Sequence, residues 1–435
     1  MAYMKDKKGR RLDSFEVAPR ELLGNALMGL RPCATRTRLV YARDTGANSQ
    51  SDGVRTMRTS MTKHFFPDDA HNIRVIYGDS AWWNTNTTNS PITITASIVV
   101  AGQLYQQTFG GRASTIIDPM GYATSDPIAP KIPAGTWVEI RTCVSVASGA
   151  KWPVAAVVSS AGGVAEAFFD DTDVTMVASP SWNGSTGVAL YGPSAIVGLV
   201  PNPSRPSVLL DGDSILQGSG DSSVQIPYDS GWACKAMANQ FSYLQGSLHG
   251  DSGVNPVPWG RDRGKFGGCT DYVISALGSN DLYVNLRTAA QLQVTLIARW
   301  RFYRDKGSRV LATTITPRTS STDAWATVAN QTITNSTVNA HRVEYNNWLR
   351  DGAPMTSAFA AVAAGTATAG TIRIGDAAHP LYDYLEIADL AESARDSGKW
   401  AIDSGQPVAD GTHPTSFMVG RIAAGLNLTN EMPKF

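Results

Sequence analysis

The sequence has no surplus of charge of either sign, no long strongly apolar run and no closely spaced cysteines. Lysine and arginine number 37 among the 435 residues, aspartate and glutamate also number 37, and the formal net charge is therefore zero. Because nucleic acid and anionic membrane surfaces attract proteins through excess positive charge, the composition predicts neither of them as a partner. The uncharged stretch at residues 353–372 consists mainly of Ala, Gly, Thr and Ser, which is too weakly apolar for a membrane span.

Two further absences concern targeting and redox chemistry. Charged residues begin at Lys5 and recur through Arg20, so the amino-terminal region lacks the apolar core of a signal peptide. We therefore expect either a cytoplasmic protein or a virion-associated or extracellular protein that is exported by a route without a signal peptide. The cysteines lie far apart without a CxxC pair, which predicts buried thiols rather than a zinc site, although a disulfide framework stays open. They are Cys33, Cys143, Cys234 and Cys269.

The amino-terminal part of the chain carries the patterns of strands. Residues 1–70 are polar and irregular, which predicts an arm that packs along the other domains. Residues 91–100 and 136–146 alternate apolar and polar side chains, as strands with one buried face do. For residues 71–200 we therefore predict an antiparallel β-sandwich, jelly-roll-like, as an accessory domain. Three prolines in residues 201–206 predict a short stiff linker.

After the linker, short apolar runs alternate with helical patterns. Residues 207–210, 272–277 and 309–315 have the pattern of strands, and residues 287–305 have that of a long amphipathic helix. Strands that alternate with helices predict a parallel sheet covered by helices on both faces, and we assign this α/β domain to residues 205–435. In such sheets the functional groups collect on loops at the carboxyl ends of the strands.

Ser214 lies directly after the first of these strands, in the sequence Asp-Gly-Asp-Ser. A serine hydroxyl is a weak nucleophile until a neighbouring base accepts its proton. Asp410 and His413 are three residues apart, so one loop can let the carboxylate orient the imidazole. Negative charge that develops on a carbonyl oxygen also needs hydrogen-bond donors. The Asn280 side chain follows the predicted strand at residues 272–277, and the Gly250 backbone N–H follows a further predicted strand at residues 241–248. Both are candidates for that role.

Four short blocks, in this order, resemble those of the SGNH hydrolases, a family of serine esterases also called GDSL-type. The blocks are Asp211-Gly-Asp-Ser-Ile215 (with Ile where leucine is common), Leu248-His-Gly-Asp-Ser252, Gly278-Ser-Asn-Asp281 and Asp410-Gly-Thr-His413. The resemblance implies a flavodoxin-like three-layer α/β/α domain and a catalytic triad of Ser214, Asp410 and His413. It also implies an oxyanion hole formed by Ser214, Gly250 and Asn280, and a reaction that needs neither a metal nor an organic cofactor.

Other residues compete for these roles. Ser80 also follows a Gly-Asp pair and an apolar run, but it lies in the predicted sandwich, which favours the later serine as the nucleophile. His379 belongs to a second DxxH sequence, but it precedes the apolar run at residues 382–387, an order that fits the closing elements of the domain less simply. His249, in the second block, is expected to be structural or to face the substrate.

The family that these blocks resemble includes carbohydrate deacetylases, lipases, phospholipases and thioesterases. A β-sandwich ahead of the catalytic domain resembles the layout of some carbohydrate esterases, and Trp259 and Trp325 are available to stack on sugar rings. We therefore predict O-deacetylation of a carbohydrate or another short-chain ester, with a small-molecule or glycan ester as the partner. Two alternatives are kept. One is a virion- or tail-associated glycan-binding protein, assembled as a homo-oligomer, whose esterase domain is active or inactive; the other is a lipase or general carboxylesterase.

Overall fold

The computed structural model describes the greater part of the chain, in several segments. These are residues 29–38, 51, 53–78, 90–119, 121–154, 166–184, 190–221, 230–255, 266, 268–403 and 405–433. Ser80, Trp259 and most of the predicted amino-terminal arm lie outside the described residues. Within the described segments, no helix has both the length and the apolar character needed to cross a membrane.

The amino-terminal part of the described chain is built of strands that pair in two antiparallel sheets. In chain order the strands are β1 (Arg31–Pro32), β2 (Thr37–Arg38), β3 (Met57–Phe66), β4 (His71–Gly78), β5 (Ile92–Val100), β6 (Gln103–Gln106), β7 (Ser114–Ile117), β8 (Tyr122–Thr124), β9 (Thr136–Ser145), β10 (Ala167–Asp170), β11 (Asn183–Gly184) and β12 (Ala195–Leu199). One sheet has the order β1-β12-β4-β8, and the other has the order β11-β10-β3-β9-β5-β6, with β7 paired to β5. The second strand, β2, belongs to neither of them.

The two antiparallel sheets share one cluster of buried side chains. Val75 of β4 and Ile196 of β12 come from the four-stranded sheet, and Ile94 of β5 and Ile140 of β9 come from the seven-stranded sheet. Along β5 the buried positions recur at alternate residues near its start, as the alternating sequence predicted. Buried side chains of both sheets therefore belong to one apolar cluster.

Strand β3 lies inside the segment that the sequence predicted to be an irregular arm. Its buried positions include polar residues, which weaken the apolar alternation that marks a strand. These polar groups are paired: the Thr59 hydroxyl donates to the Thr172 carbonyl oxygen over 2.8 Å, and the ring of buried His64 bonds the Thr35 carbonyl oxygen over 3.0 Å. Polar residues fit the interior because partners distant in sequence satisfy them.

The carboxyl-terminal part contains a second set of strands and all of the described helices. Its strands are β13 (Val208–Gly212), β14 (Tyr243–Gln245), β15 (Tyr272–Ala276), β16 (Arg309–Thr313), β17 (Thr319–Ser321), β18 (Gln331–Ile333) and β19 (Asp383–Leu385). Its helices are α1 (Ser214–Gln217), α2 (Trp232–Met237), α3 (Ser279–Tyr283), α4 (Ala289–Asp305), α5 (Ser336–Arg350), α6 (Ala388–Ala391), α7 (Ser416–Gly425) and α8 (Leu428–Glu431). The predicted long helix and the three predicted strands are all present, each within a few residues of its expected bounds.

The predicted parallel sheet is confirmed. Six strands lie in the order β19-β16-β15-β13-β14-β2, and each neighbouring pair is parallel. Side chains that alternate along β13 enter two different clusters: Leu209 packs with α4 and α5, whereas Val208 and Leu210 pack with α2 and α7. Helices therefore cover both faces of the sheet, and β17 and β18 form a separate antiparallel hairpin.

The segment at residues 29–38 joins the two parts of the molecule. Its first strand, β1, pairs with β12 of the four-stranded sheet, and β2 pairs with β14 at the edge of the parallel sheet. The Arg31 guanidinium forms an ion pair with Asp271, which precedes β15. The Ser242 hydroxyl also donates to the Pro32 carbonyl oxygen over 2.9 Å. This short segment therefore holds the parallel sheet against the antiparallel part.

All four cysteines are free thiols. Cys33, Cys143 and Cys234 are buried, as predicted, and Cys269 is partly exposed. Burial raises the pKa of the Cys33 thiol and raises that of Cys143 to about 12, so both stay protonated and unreactive at neutral pH.

Replacing Trp300 by alanine tests the packing of α4 on the sheet. Trp300 is fully buried, its ring stacks on Trp348 of α5 with centroids 6.1 Å apart, and its indole N–H donates to the Ser275 hydroxyl of β15 over 3.2 Å. We expect Trp300→Ala to lower the free energy of unfolding by about 3–5 kcal/mol in urea denaturation. Val294→Ala, on the same helix at a side chain that is 66% exposed, is the control and should change little. Equal losses in the two variants would contradict this packing.

Candidate active site

Ser214 lies in a tight turn between β13 and α1. A Cβ at Gly212 would lie 2.6 Å from the Leu216 side chain, so the strand can turn directly into the helix only with glycine at this position. The Asp213 carboxylate caps α1 by accepting a hydrogen bond from Ile215 N over 2.9 Å. The turn therefore holds Ser214 at the first position of a short helix at the carboxyl end of the sheet.

The three residues of the predicted triad are in continuous hydrogen-bond contact. Ser214 Oγ lies 2.8 Å from His413 Nε2, and His413 Nδ1 lies 2.6 Å from Asp410 Oδ2. The other carboxylate oxygen accepts the backbone N–H groups of Thr412 and His413 over 2.9 and 2.8 Å. Burial alone would raise the pKa of Asp410, but the hydrogen bonds from His413 and Thr412 outweigh it and hold that pKa below its ordinary value. Asp410 is therefore a carboxylate that fixes the tautomer and orientation of the imidazole.

Gly411 fixes the loop that carries His413. Its carbonyl oxygen accepts hydrogen bonds from Thr319 N over 3.1 Å and from the indole N–H of Trp400 over 3.2 Å. Its φ is +83°, and a Cβ there would lie only 1.7 Å from the Thr319 carbonyl oxygen. Only glycine therefore fits this position, where the loop pairs with the start of β17.

The second and third sequence blocks contact each other in the segments that follow β14 and β15. The Asn280 side-chain amide, in α3, donates to the carbonyl oxygen of Asp251 over 2.8 Å, one residue after Gly250. Gly250 has a φ of +76°, which favours glycine. The Asp281 carboxylate accepts hydrogen bonds from Gly253 N over 2.7 Å and from Val254 N. These contacts fasten the loop after β14 to the helix that carries Asn280.

Several donors on the predicted oxyanion residues have no acceptor within the described part of the chain. The N–H of Ser214 is at the first position of α1, where a helix leaves its donors unpaired, and the Gly250 N–H also donates to no described residue. Only one of the two amide hydrogens of Asn280 is used, in the bond to Asp251. Three N–H groups on the predicted oxyanion residues are therefore free to donate.

His249 lies against His413. Their rings stack with centroids 5.9 Å apart and planes 20° apart, and His249 Nδ1 lies 3.5 Å from the Ser219 hydroxyl. From the sequence, His249 is expected to be structural or to face the substrate. The contact places it on one face of the proposed base.

The rival histidine is tied into the protein interior. His379 is 3% exposed, its Nε2 lies 3.0 Å from the Ala353 carbonyl oxygen, and its Nδ1 accepts from Leu381 N over 3.1 Å. Burial lowers the pKa of His379, which favours the neutral ring. The Asp376 carboxylate accepts from Arg373 N rather than from the His379 ring. The second DxxH sequence is therefore a structural turn; the rival serine, Ser80, lies outside the described residues.

Sequence reasoning missed a buried charge beneath the site. Arg299 of α4 is 2% exposed and forms a bidentate pair with Asp211 of β13, with both N–O distances 2.6 Å. Its Nη1 also donates to the Asn255 carbonyl oxygen over 3.1 Å. The one signal in the sequence was an arginine among apolar residues on the inward face of the predicted helix. The pair joins that helix to the strand that leads into Ser214.

Asp213 titrates near neutral pH. Burial raises its pKa to about 7 against the effect of the hydrogen bond from Ile215 N, and the charges of Asp251 and Asp281 raise it further. Burial also raises the pKa of Asp281. The carboxyl next to Ser214 is therefore largely protonated in mildly acidic solution.

Comparisons with known proteins find similarity among solved structures only. No protein-family model and no curated protein sequence matches the chain. Similar solved structures include a carbohydrate esterase of family 3 from Talaromyces cellulolyticus (16% identity, TM-score 0.29, 50% of this chain and 92% of that one). Others are a GDSL-like lipase from Bacteroides thetaiotaomicron (11%, 0.30, 52% and 92%) and a member of the lipolytic G-D-S-L family from Veillonella parvula (15%, 0.31, 50% and 94%). The chemistry of the site rests on the contacts described above.

Asp213→Asn tests whether the carboxyl group of Asp213 titrates near neutral pH. A folded-state pKa of about 7, against about 3.9 in an unfolded chain, means that Asp213 stabilises the fold at acidic pH and that this contribution is lost as pH rises from 4 through 7. Asp213→Asn can keep the cap but cannot ionise. Between pH 5 and pH 8, its free energy of unfolding should therefore rise relative to wild type by about 2 kcal/mol in urea denaturation.

Asp323→Asn is the control for this pH series. Hydrogen bonds from the Ser321 and Thr327 hydroxyls hold the pKa of Asp323 well below its ordinary value, so it stays ionised throughout this pH range. Its difference from wild type should therefore not change between pH 5 and pH 8. Parallel curves for Asp213→Asn and wild type would show that Asp213 is ionised throughout.

Proposed function

We propose that this chain is a serine ester hydrolase of the SGNH type, with Ser214 as the nucleophile. The observation that carries the proposal is the unbroken contact from Ser214 Oγ through both ring nitrogens of His413 to Asp410. A neutral imidazole that is held by a carboxylate can accept the serine proton as the hydroxyl attacks.

In the proposed reaction His413 accepts the proton of Ser214 while Oγ forms a bond to the ester carbonyl carbon. The Ser214 and Gly250 N–H groups and the unused amide hydrogen of Asn280 bind the oxyanion, because each is a donor without another described acceptor. His413 then gives its proton to the departing alcohol, which leaves an acyl-enzyme. Water repeats the sequence on the acyl-enzyme and releases the acid.

For the substrate we propose an O-acetylated carbohydrate or another short-chain ester. The position of Trp325 favours a sugar as part of the substrate. The Trp325 ring is partly buried beside Gly411, which belongs to the loop that carries His413. The indole N–H of Trp325 donates to the Thr319 hydroxyl over 2.9 Å. An aromatic ring held in this way offers an apolar face for stacking. We further propose that the two antiparallel sheets form the jelly-roll-like sandwich expected for residues 71–200, as an accessory domain to residues 205–435.

A second candidate function is hydrolysis of longer acyl esters. Val284 and Leu286 follow α3 directly and have exposed side chains, 61% and 68% accessible. Leu286 also has a φ of +51°, a conformation that aliphatic residues seldom adopt. Two exposed aliphatic side chains so near Asn280 favour an acyl chain lying across this loop.

The first experiment measures hydrolysis of p-nitrophenyl acetate, butyrate and octanoate, and acetate release from acetylated xylan. We expect the wild type to prefer acetate, and Ser214→Ala to lose activity on all of these esters by at least about 10³-fold. Rising activity with chain length would favour the second candidate. A wild type that is inert on every ester would favour the glycan-binding alternative.

Ser80→Ala is the matched control for the nucleophile, because Ser80 follows the same Gly-Asp pair in the sequence. It should keep wild-type activity on p-nitrophenyl acetate. Retained activity in Ser214→Ala together with loss in Ser80→Ala would overturn the assignment.

Asn280→Ala tests whether the Asn280 side chain donates a hydrogen bond to the oxyanion. Asn280→Ala removes one donor to the oxyanion and should lower kcat by about 10²–10³-fold while KM changes little, since the donor acts mainly in the transition state. Asn255→Ala is the control, because the Asn255 amide also donates to Asp251, to its carboxylate over 2.9 Å. A similar fall in kcat for both variants would mean that Asn280 serves only to hold the loop.

A further inference from the structure

Arg318 lies between two elements of the proposed active site. It follows β16, and its Nε donates to the Thr412 hydroxyl over 2.7 Å, one residue before His413. Its guanidinium carbon also lies 5.4 Å from the ring centroid of Tyr283. Tyr283 is three residues after Asn280 in α3, which places the two on neighbouring positions of one helix face. The guanidinium therefore spans the gap between the loop of the proposed base and the helix of the proposed oxyanion donor.

The backbone that carries Arg318 is held on both sides. Before it, Ile315 N donates to the Asn346 side chain over 2.7 Å, and the Ile315 carbonyl oxygen accepts from Asn346 and from buried Arg342, each over 3.0 Å. After it, Thr319 N donates to the Gly411 carbonyl oxygen. Arg318 is thus presented from a fixed segment, which is what recognition of a specific group requires.

The charge of Arg318 has no counter-ion among the described residues. Its Nε is the one guanidinium nitrogen that bonds a described residue, and no described carboxylate lies within 4.0 Å of the group. Arg350, on α5, shows the contrast, because three carboxylates surround it. Arg318 is only partly buried, so both of its terminal nitrogens can still donate. Two parallel N–H donors match the two oxygens of a carboxylate.

We propose that Arg318 determines substrate specificity by binding a carboxylate of the substrate close to the ester bond that Ser214 attacks. The inference rests on the proposed esterase function and narrows it to acidic esters. The carboxylate has two chemical sources: the alcohol part, as in an O-acetylated uronic acid, or the acyl part, as in a hemiester of a dicarboxylic acid. In either case the aromatic face of Tyr283 supports the guanidinium on the side opposite the substrate.

The test compares neutral and acidic esters in two matched pairs. Acetylated glucomannan and acetylated polygalacturonate differ in the charge of the alcohol part, and p-nitrophenyl acetate and p-nitrophenyl hemisuccinate differ in that of the acyl part. For the pair that carries the recognised carboxylate, we expect Arg318→Gln to lower kcat/KM on the acidic ester at least about tenfold more than on the neutral one. The loss should lie mainly in KM. Arg318→Lys should recover part of it, because it restores the charge without the planar fork.

Arg112→Gln is the control for a general loss of positive charge, because Arg112 is exposed in the turn between β6 and β7. This variant should keep the wild-type ratio of acidic to neutral activity. Added salt should also weaken the wild-type preference for the acidic ester, since part of the attraction is electrostatic.

Three outcomes bear on the proposal separately from the esterase function. If Arg318→Gln loses acidic and neutral activity equally, Arg318 only positions the Thr412–His413 loop and the specificity proposal fails. If the wild type hydrolyses neutral esters, but hydrolyses acidic esters no better than Arg318→Gln does, the proposal about Arg318 fails while the esterase function stands. If no ester of either kind is hydrolysed, the esterase function itself fails.

Discussion

The position of His413 depends on the backbone pairing between Gly411 and Thr319. Asp410 and His413 lie on a loop outside the strands of the parallel sheet, so the hydrogen bonds of the sheet do not place them. The Gly411 carbonyl oxygen accepts the Thr319 N–H and a buried indole N–H, and no side chain fits at this position. The contact between Ser214 and His413 joins residues 199 positions apart, so a shift of this loop would lengthen the distance between Ser214 Oγ and His413 Nε2.

A second constraint is the charge buried below Ser214. Four carboxyl groups are buried in β13 or in the segments that follow β13, β14 and β15: Asp211, Asp213, Asp251 and Asp281. Asp213 and Asp281 accept backbone N–H groups and so fix the turns that follow the strands, and Arg299 pairs with Asp211. One arginine cannot neutralise four carboxylates, and burial raises the pKa of Asp213 and of Asp281. The turns around Ser214 are therefore held by groups whose ionisation the interior opposes.

Local patterns in the sequence were sufficient to predict the parallel sheet, its long helix and the contact of Ser214 with His413 and Asp410. Each depends on a short run, such as the apolar residues before Ser214 or the spacing within DxxH. The pairing of β3, Arg299 and the Gly411–Thr319 contact could not be predicted in this way. In each, a polar group is satisfied by a partner far along the chain, and single-sequence periodicity carries no information about such partners.

The hairpin formed by β17 and β18 connects the residues proposed for substrate recognition with the loop of the proposed base. Asp323 at its tip accepts hydrogen bonds from the Ser321 and Thr327 hydroxyls, and the next two residues adopt left-handed conformations, with φ of +54° and +60°. The second of these is Trp325, and strain of this kind persists only where the surroundings over-determine it. Because the same hairpin pairs with Gly411 and directly follows Arg318, one unit carries an aromatic ring, adjoins a guanidinium and contacts the loop of His413, the proposed base. We therefore expect changes at Arg318 or Trp325 to alter turnover as well as binding, which is why the ratio between matched substrates is more informative than either rate alone.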